Sequence, residues 1–139
     1  MGLKSRTKGQ SGEREIAALV AELTGFDVRR RVRQHGGDSD LDGIPGWSIE
    51  VKRHAKATRG SIRTWWAQAC DQATQAGAVP VLLFRQDRDE WRAVWPLAAT
   101  LTQQSAAMWS GYDWTTEGST AAWCAVVRET IFKKEEPND

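Results

Sequence analysis

Apolar residues along this chain change period several times, and each change marks an element. From Ser11 to Gly25, Ile16, Leu19, Val20 and Leu23 stand at i, i+3, i+4 and i+7, one stripe of an amphipathic helix. Ser11 or Gly12 can open that helix, and Gly25 supplies its C-terminal cap. Phe26–Arg33 then takes strand spacing, with Phe26, Val28 and Val32 as its apolar members, until Gly36-Gly37 breaks it into a loop. Ser39–Ile44 suits a short strand and Pro45-Gly46 a turn. Trp47–Arg53 alternates most clearly: Trp47, Ile49 and Val51 share one face, and Ser48, Glu50 and Lys52 share the other.

After a polar loop at Ala55–Gly60, Ser61–Ala76 reads as a second helix, capped by Ser61 and ended by Gly77. Val79–Arg85 is apolar enough for a buried strand, and Glu90–Trp95 is its hairpin partner across the charged turn Gln86–Asp89. Beyond Pro96 the pattern weakens. Leu97–Met108 fits a helix and Ala122–Arg128 a strand, while residues 133–139 form a charged tail that should fray. The order is helix, three strands, helix, two strands. It predicts an α/β sandwich with a central mixed β-sheet flanked by helices, rather than a doubly wound sheet.

Composition adds limits. With 139 residues, 40% apolar and 27% charged, the chain suits a single domain over 1–139, with a basic flexible arm at 1–9. No apolar run approaches the ~20 residues of a membrane span. Residues 1–10 are basic and polar and lack the apolar stretch of a secretory signal. Cys70 and Cys124 are too few for a disulfide framework and lack metal-ligand spacing, so buried free thiols in a reducing, cytoplasmic setting are expected. The net charge of +1 conceals an asymmetry: residues 1–65 hold thirteen Lys or Arg against eight Asp or Glu, a net of +5, whereas residues 66–139 hold six against ten, a net of −4. A polyanion would therefore dock on the first half.

That half also carries the informative chemistry, Asp38-Ser-Asp-Leu-Asp-Gly-Ile-Pro-Gly-Trp-Ser-Ile-Glu-Val-Lys52. Glu50 and Lys52 leave one face of a strand about 7 Å apart, with Val51 pointing the other way. If the turn at Pro45-Gly46 folds the preceding segment back, Asp40 lies beside Glu50. Two converging carboxylates suit Mg²⁺, which prefers oxygen ligands and keeps several waters. Such a site suits hydrolysis of a phosphodiester, with Lys52 placing the water or stabilising charge on the phosphate. Standing alone, Glu50 and Lys52 would be an exposed ion pair worth at most ~1 kcal/mol.

Three segments here resemble the PD-(D/E)XK nuclease superfamily, in particular archaeal-type Holliday junction resolvases and related small phage endonucleases. Lys8-Gly-Gln-Ser-Gly-Glu-Arg-Glu15 is similar to the opening of their first helix. Ser39-Asp-Leu-Asp-Gly43 stands where they carry Pro-Asp and apolar residues, and Ile49-Glu-Val-Lys52 completes the motif. The likeness runs over residues 6–95. It implies a restriction-endonuclease-like core and a Mg²⁺-dependent endonuclease in which Mn²⁺ can substitute. Glu13, Asp40 and Glu50 would hold the metal, Lys52 would act on the nucleophilic water, and a glutamine on the second helix, Gln68 ahead of Gln72, would touch substrate or water. It also implies branched DNA as substrate and a homodimer that cuts two strands symmetrically. Ser39 replaces the motif's proline. Register favours Asp40, although Asp38 and Asp42 share its face in an extended segment and compete for the role.

Around this centre, Arg29, Arg31 and Arg33 form one strand face that suits phosphate, with Arg30 on the other beside Val28 and Val32. Lys8, Arg53, Lys56, Arg59 and Arg63 can track a DNA backbone, positioning it without reading sequence. His35 and His54 fit loop histidines better than bases. The eight tryptophans are expected in the core or an interface more than on unpaired bases, with Trp65 the one to test for DNA contact. Two other readings compete: a restriction-like or repair nuclease on linear duplex, and a catalytically silent DNA-binding accessory.

Overall fold

The computed structural model describes residues 3–31, 39–100 and 111–135. Helix α1 (Leu3–Thr24) leads into three antiparallel strands, β1 (Arg29–Arg30), β2 (Leu41–Asp42) and β3 (Trp47–His54). Helix α2 (Arg59–Ala76) then crosses over to β4 (Val79–Gln86), which pairs parallel to β3 along its whole length. Strands β5 (Arg92–Pro96) and β6 (Thr115–Ser119) add on antiparallel, and α3 (Thr120–Glu135) closes the order. The six strands lie in sequence order across one sheet. The expected mixed α/β sandwich is what forms.

Both faces of β3 and β4 are covered, which is why these strands carry few exposed positions. Ile49, Val51, Val81 and Leu83 pack with Ile16 and Val20 of α1 and with Trp123 and Val127 of α3. Leu82, Phe84 and Val94 pack on the opposite face under Ile62, Trp65, Trp66 and Ala69 of α2. Glu50 and Lys52 alternate with Ile49 and Val51, so they face the α2 side. Trp65, Trp66, Trp91, Trp95 and Trp123 are buried, as the core reading of the tryptophans expected, while Trp114 is 52% exposed. Trp109 lies outside the described residues.

Several boundaries differ from the sequence reading. Helix α1 starts at Leu3, so residues 3–9 are its first turns rather than a flexible arm: nothing there breaks a helix, and Ser11 lies inside α1 instead of opening it. Thr58, not Ser61, caps α2; the two form a reciprocal capping box in which Thr58 Oγ1 accepts the Ser61 N–H at 3.1 Å. Ala122–Arg128 is helical. Its buried Trp123, Cys124 and Val127 follow a helical stripe, and a short apolar run does not distinguish strand from helix by period. The tail's first residues, to Glu135, continue α3. The helix expected at Leu97–Met108 is a single 3₁₀ turn over Leu97–Thr100, and its remainder lies outside the described residues. Strand β6, Thr-Thr-Glu-Gly-Ser, has no apolar alternation to announce it. Cys70 and Cys124 form no disulfide among the described residues, and burial pushes their thiols up to about 11, which makes them inert.

The backbone entering the site is fixed by a close approach at Gly43. It has φ +122°, and a Cβ there would lie 2.3 Å from the Asp27 carbonyl oxygen. Gly46, at φ +81°, has open space around the same position. Gly43→Ala is therefore expected to destabilise the fold by more than ~1 kcal/mol, and Gly46→Ala by about that amount or less. Urea unfolding of both variants checks the ranking.

Candidate active site

The turn at Pro45-Gly46 folds the Asp40 segment back onto β3, with Leu41 opposite Ile49. The Asp40 N–H donates to the Ile49 carbonyl at 2.9 Å, and the Asp40 carbonyl accepts the Arg31 N–H at 3.0 Å. These backbone bonds leave little freedom to the carboxyl, whose Oδ2 accepts the Val51 N–H at 2.8 Å. Asp40 is 8% exposed and Glu50 4%, an unusual degree of burial for two neighbouring acids.

Lys52 Nζ lies 3.3 Å from Glu50 Oε1. Glu50 Oε2 is buried and has no hydrogen-bond partner among the described residues. Burial, followed by the negative charge of Asp40, pushes the Glu50 carboxyl up to about 7, with Lys52 opposing the shift. An isolated pair of acids this deep is costly, and one of them holds a proton near neutrality.

Glu13 approaches from α1. Its carboxyl is raised by burial and by the field of Asp40, and its Oε2 accepts from Arg30 Nε at 2.7 Å. The expected trio of acids is therefore a close pair plus a third member held by an arginine. Among the described residues, no group of three or more His, Cys, Asp and Glu side chains is placed to hold a metal ion. Asp40 and Glu50 still fit Mg²⁺, which commonly takes one or two protein carboxylates and fills the rest of its shell with water and substrate oxygens. The buried, unpartnered Glu50 Oε2 and the repulsion between the two acids are what a cation there would relieve.

Arg30 was missed as a site residue because alternation placed it with Val28 on the apolar face. That placement was itself the signal: a half-buried arginine needs a carboxylate, and Glu13 is the one it reaches. Of the competing aspartates, Asp42 is exposed and lies 3.6 Å from Arg31 Nη2, while Asp38 lies outside the described residues. Gln68 is exposed on α2. Gln72 is the more buried of the two glutamines, and its Oε1 has no partner among the described residues.

The basic candidates divide. Arg29 is exposed and pairs with Asp27 at 3.0 Å, whereas Arg31 Nε donates to the Ser39 carbonyl at 3.0 Å. Arg53 turns toward α1, packed on Gly12 with its Nη1 3.9 Å from Glu15, away from Lys52. Lys56, Arg59 and Arg63 are exposed around the start of α2. Arg63 sits 4.8 Å over the Tyr112 ring and 3.4 Å from Asp113. His54 stacks on Trp65 at 4.8 Å, which leaves Trp65 buried rather than offered to DNA. Arg33, His35 and the side chain of Lys8 lie outside the described residues.

A family model described as "Phage putative PDDEXK endonuclease" matches residues 4–120, which span every residue of this site. The chain belongs to that family. Asp40, Glu50 and Lys52 lie within the matched span, and Ser39 precedes Asp40. Protein D14 of Escherichia phage T5 is 25% identical over 112 residues, 66% of this chain and 70% of that protein. A solved Holliday junction resolvase, Hjc of the archaeal hyperthermophile Archaeoglobus fulgidus, is 16% identical with a TM-score of 0.47, covering 84% of this chain and 87% of that one. No helix among the described residues of the endonuclease is long and apolar enough to cross a membrane.

The raised Glu50 carboxyl makes a signed prediction. Its folded-state value of about 7 lies above the ordinary glutamate value of 4.5, so between those limits the folded protein binds a proton that the unfolded chain has released. In chelator, wild-type stability should fall as pH rises from about 5 to 8, and Glu50→Gln should lose much of that slope. Chemical denaturation of both proteins across the range measures it, and parallel stability curves would contradict the assignment.

Proposed function

We propose that this family member is a Mg²⁺-dependent endonuclease that hydrolyses phosphodiester bonds in DNA, with a four-way junction as its preferred substrate. The observation that carries the reading is the buried Asp40–Glu50 pair with Lys52 3.3 Å from Glu50. A solvated ion pair would not need Asp40 anchored on the Val51 amide, nor leave a buried carboxylate oxygen without a partner.

Asp40 and Glu50 would hold the ion, Mg²⁺ or Mn²⁺ in its place. When bound, it polarises a phosphate and lowers the pKa of a coordinated water. Asp40 contributes a fixed direction, because its other oxygen is committed to the Val51 N–H. Glu50 contributes charge in a dry setting, where it interacts strongly. Lys52, about a quarter exposed, reaches the boundary between this pocket and solvent. There its ammonium orients the attacking water and offsets charge gathering on the phosphate oxygens. Glu13, held by Arg30 beside Asp40, is the third acid available to the centre. Lys56, Arg59 and Arg63 would carry flanking phosphates.

The junction preference rests on the resolvase-like Lys8–Glu15 opening, and a homodimer working in the cytoplasm would pair the two cuts. Asp40→Asn, Glu50→Gln and Lys52→Ala should each lower Mg²⁺-dependent cleavage by on the order of 10²-fold or more while DNA binding in chelator persists. A labelled four-way junction and a matched linear duplex, incubated side by side, measure activity and preference together. Full cleavage by Glu50→Gln would sink the mechanism, and equal cutting of the two substrates would remove the junction preference.

A further inference from the structure

Arg30 commits one of its donors and keeps the rest. Its Nε donates to Glu13 Oε2 at 2.7 Å, and the two side chains are 18% and 16% exposed, so the pair is largely out of water. Neither terminal amino group of Arg30 has a hydrogen-bond partner among the described residues, and neither is sealed from solvent. A guanidinium carries its N–H donors in a fixed fork that fits a phosphate by two-point contact, and Glu13 takes only one of them.

The pair stands at the edge of the acid centre. Arg30 is opposite Leu41, the residue after Asp40, and the field of Asp40 reaches Glu13. Yet Glu13 does not complete a trio with Asp40 and Glu50, because no three such side chains among the described residues are placed to hold a metal ion. Each cation here covers one acid: Lys52 lies 3.3 Å from Glu50, and Arg30 holds Glu13. A desolvated ion pair separates at low cost only when both members gain new charged partners, since losing one strands the other. DNA and a divalent cation together supply both. The cation competes with Arg30 for Glu13, and a phosphate competes with Glu13 for Arg30.

We propose that the Arg30–Glu13 pair withholds Glu13 from metal until a DNA phosphate takes Arg30. The proposal rests on the reading of the protein as a metal-dependent DNA endonuclease. Without DNA, Asp40 and Glu50 offer a place for one ion. A phosphate seated on Arg30 frees Glu13, within reach of Asp40, to help hold a second. DNA and the second ion then favour each other's binding by the same factor, so full metal loading coincides with the presence of substrate.

The test compares four full-length proteins: wild type, Arg30→Gln, Glu13→Gln and the double variant. Calorimetry without DNA counts bound Mn²⁺; wild type, Glu13→Gln and the double variant should take one ion per chain, and Arg30→Gln two. Fluorescence anisotropy in chelator follows a labelled four-way junction. Glu13→Gln, which releases Arg30, should bind it about fivefold more tightly, and log affinity should fall more steeply with log salt by about 0.9, the increment for one added phosphate contact. The double variant should lose both gains. One ion in folded Arg30→Gln, a Glu13→Gln salt slope equal to that of wild type, or a gain that persists in the double variant would each overturn the proposal. If Arg30→Gln does not fold, the near-isosteric Glu13→Gln decides alone. Absence of Mn²⁺ binding in wild type would instead defeat the metal-centre reading, while the chelator measurements still decide whether Arg30 passes to phosphate.

Discussion

The hydrogen bond from the Val51 N–H to Asp40 Oδ2 ties together the two segments from which the centre is built. It crosses from β3 to the residue just before β2 and draws a carboxylate onto the sheet beside Glu50. The features around it serve that approach: the turn at Pro45-Gly46 reverses the chain, and Gly43 lets it pass against the Asp27 carbonyl. Leu41 and Ile49 bury the opposite face. The consequence is electrostatic. Two acids share a dry site with a single lysine between Glu50 and solvent, and the surplus negative charge is held by packing and backbone bonds that do not depend on a cation.

Burial and this surplus together explain several features. Glu50 rises to about 7 because it is buried and lies in the field of Asp40. Glu13 is raised for the same reason, and Arg30 is half-buried beside it as a local counter-charge. Family membership gives the arrangement its context, since the acidic and Glu-X-Lys elements are those by which PD-(D/E)XK nucleases are named. The parallel pairing of β3 with β4 sets Phe84 beside Lys52, and the antiparallel β5 brings Arg92 next in line.

Much of this was legible in the sequence wherever one period dominated. The alternation of Trp47–Arg53 placed Glu50 and Lys52 on one face, and Gly25 and Gly77 both end helices in left-handed geometry. Legibility failed where the deciding contact lies far away in sequence. Arg30 was assigned to an apolar face, and only its meeting with Glu13, seventeen residues earlier, explains it. Ala122–Arg128 was assigned to a strand because a short apolar run has no length with which to show a helical period. Strand β6 gave no signal, since an edge strand paired to β5 gains its place from backbone bonds rather than buried side chains. The choice of Asp40 over Asp42 likewise needed β2–β3 register, which leaves Asp42 exposed beside Arg31.

The central claim is that Asp40 and Glu50 form a centre whose excess charge a divalent ion neutralises. Calorimetric titration of Mn²⁺ into the protein at pH 7, repeated in two buffers of different ionisation enthalpy, tests it most directly. The account predicts saturable binding with net proton release, as the proton on Glu50 is displaced, and loss of both signals in Asp40→Asn and in Glu50→Gln. Binding of undiminished affinity in Glu50→Gln, or binding by wild type with no proton released, would contradict it.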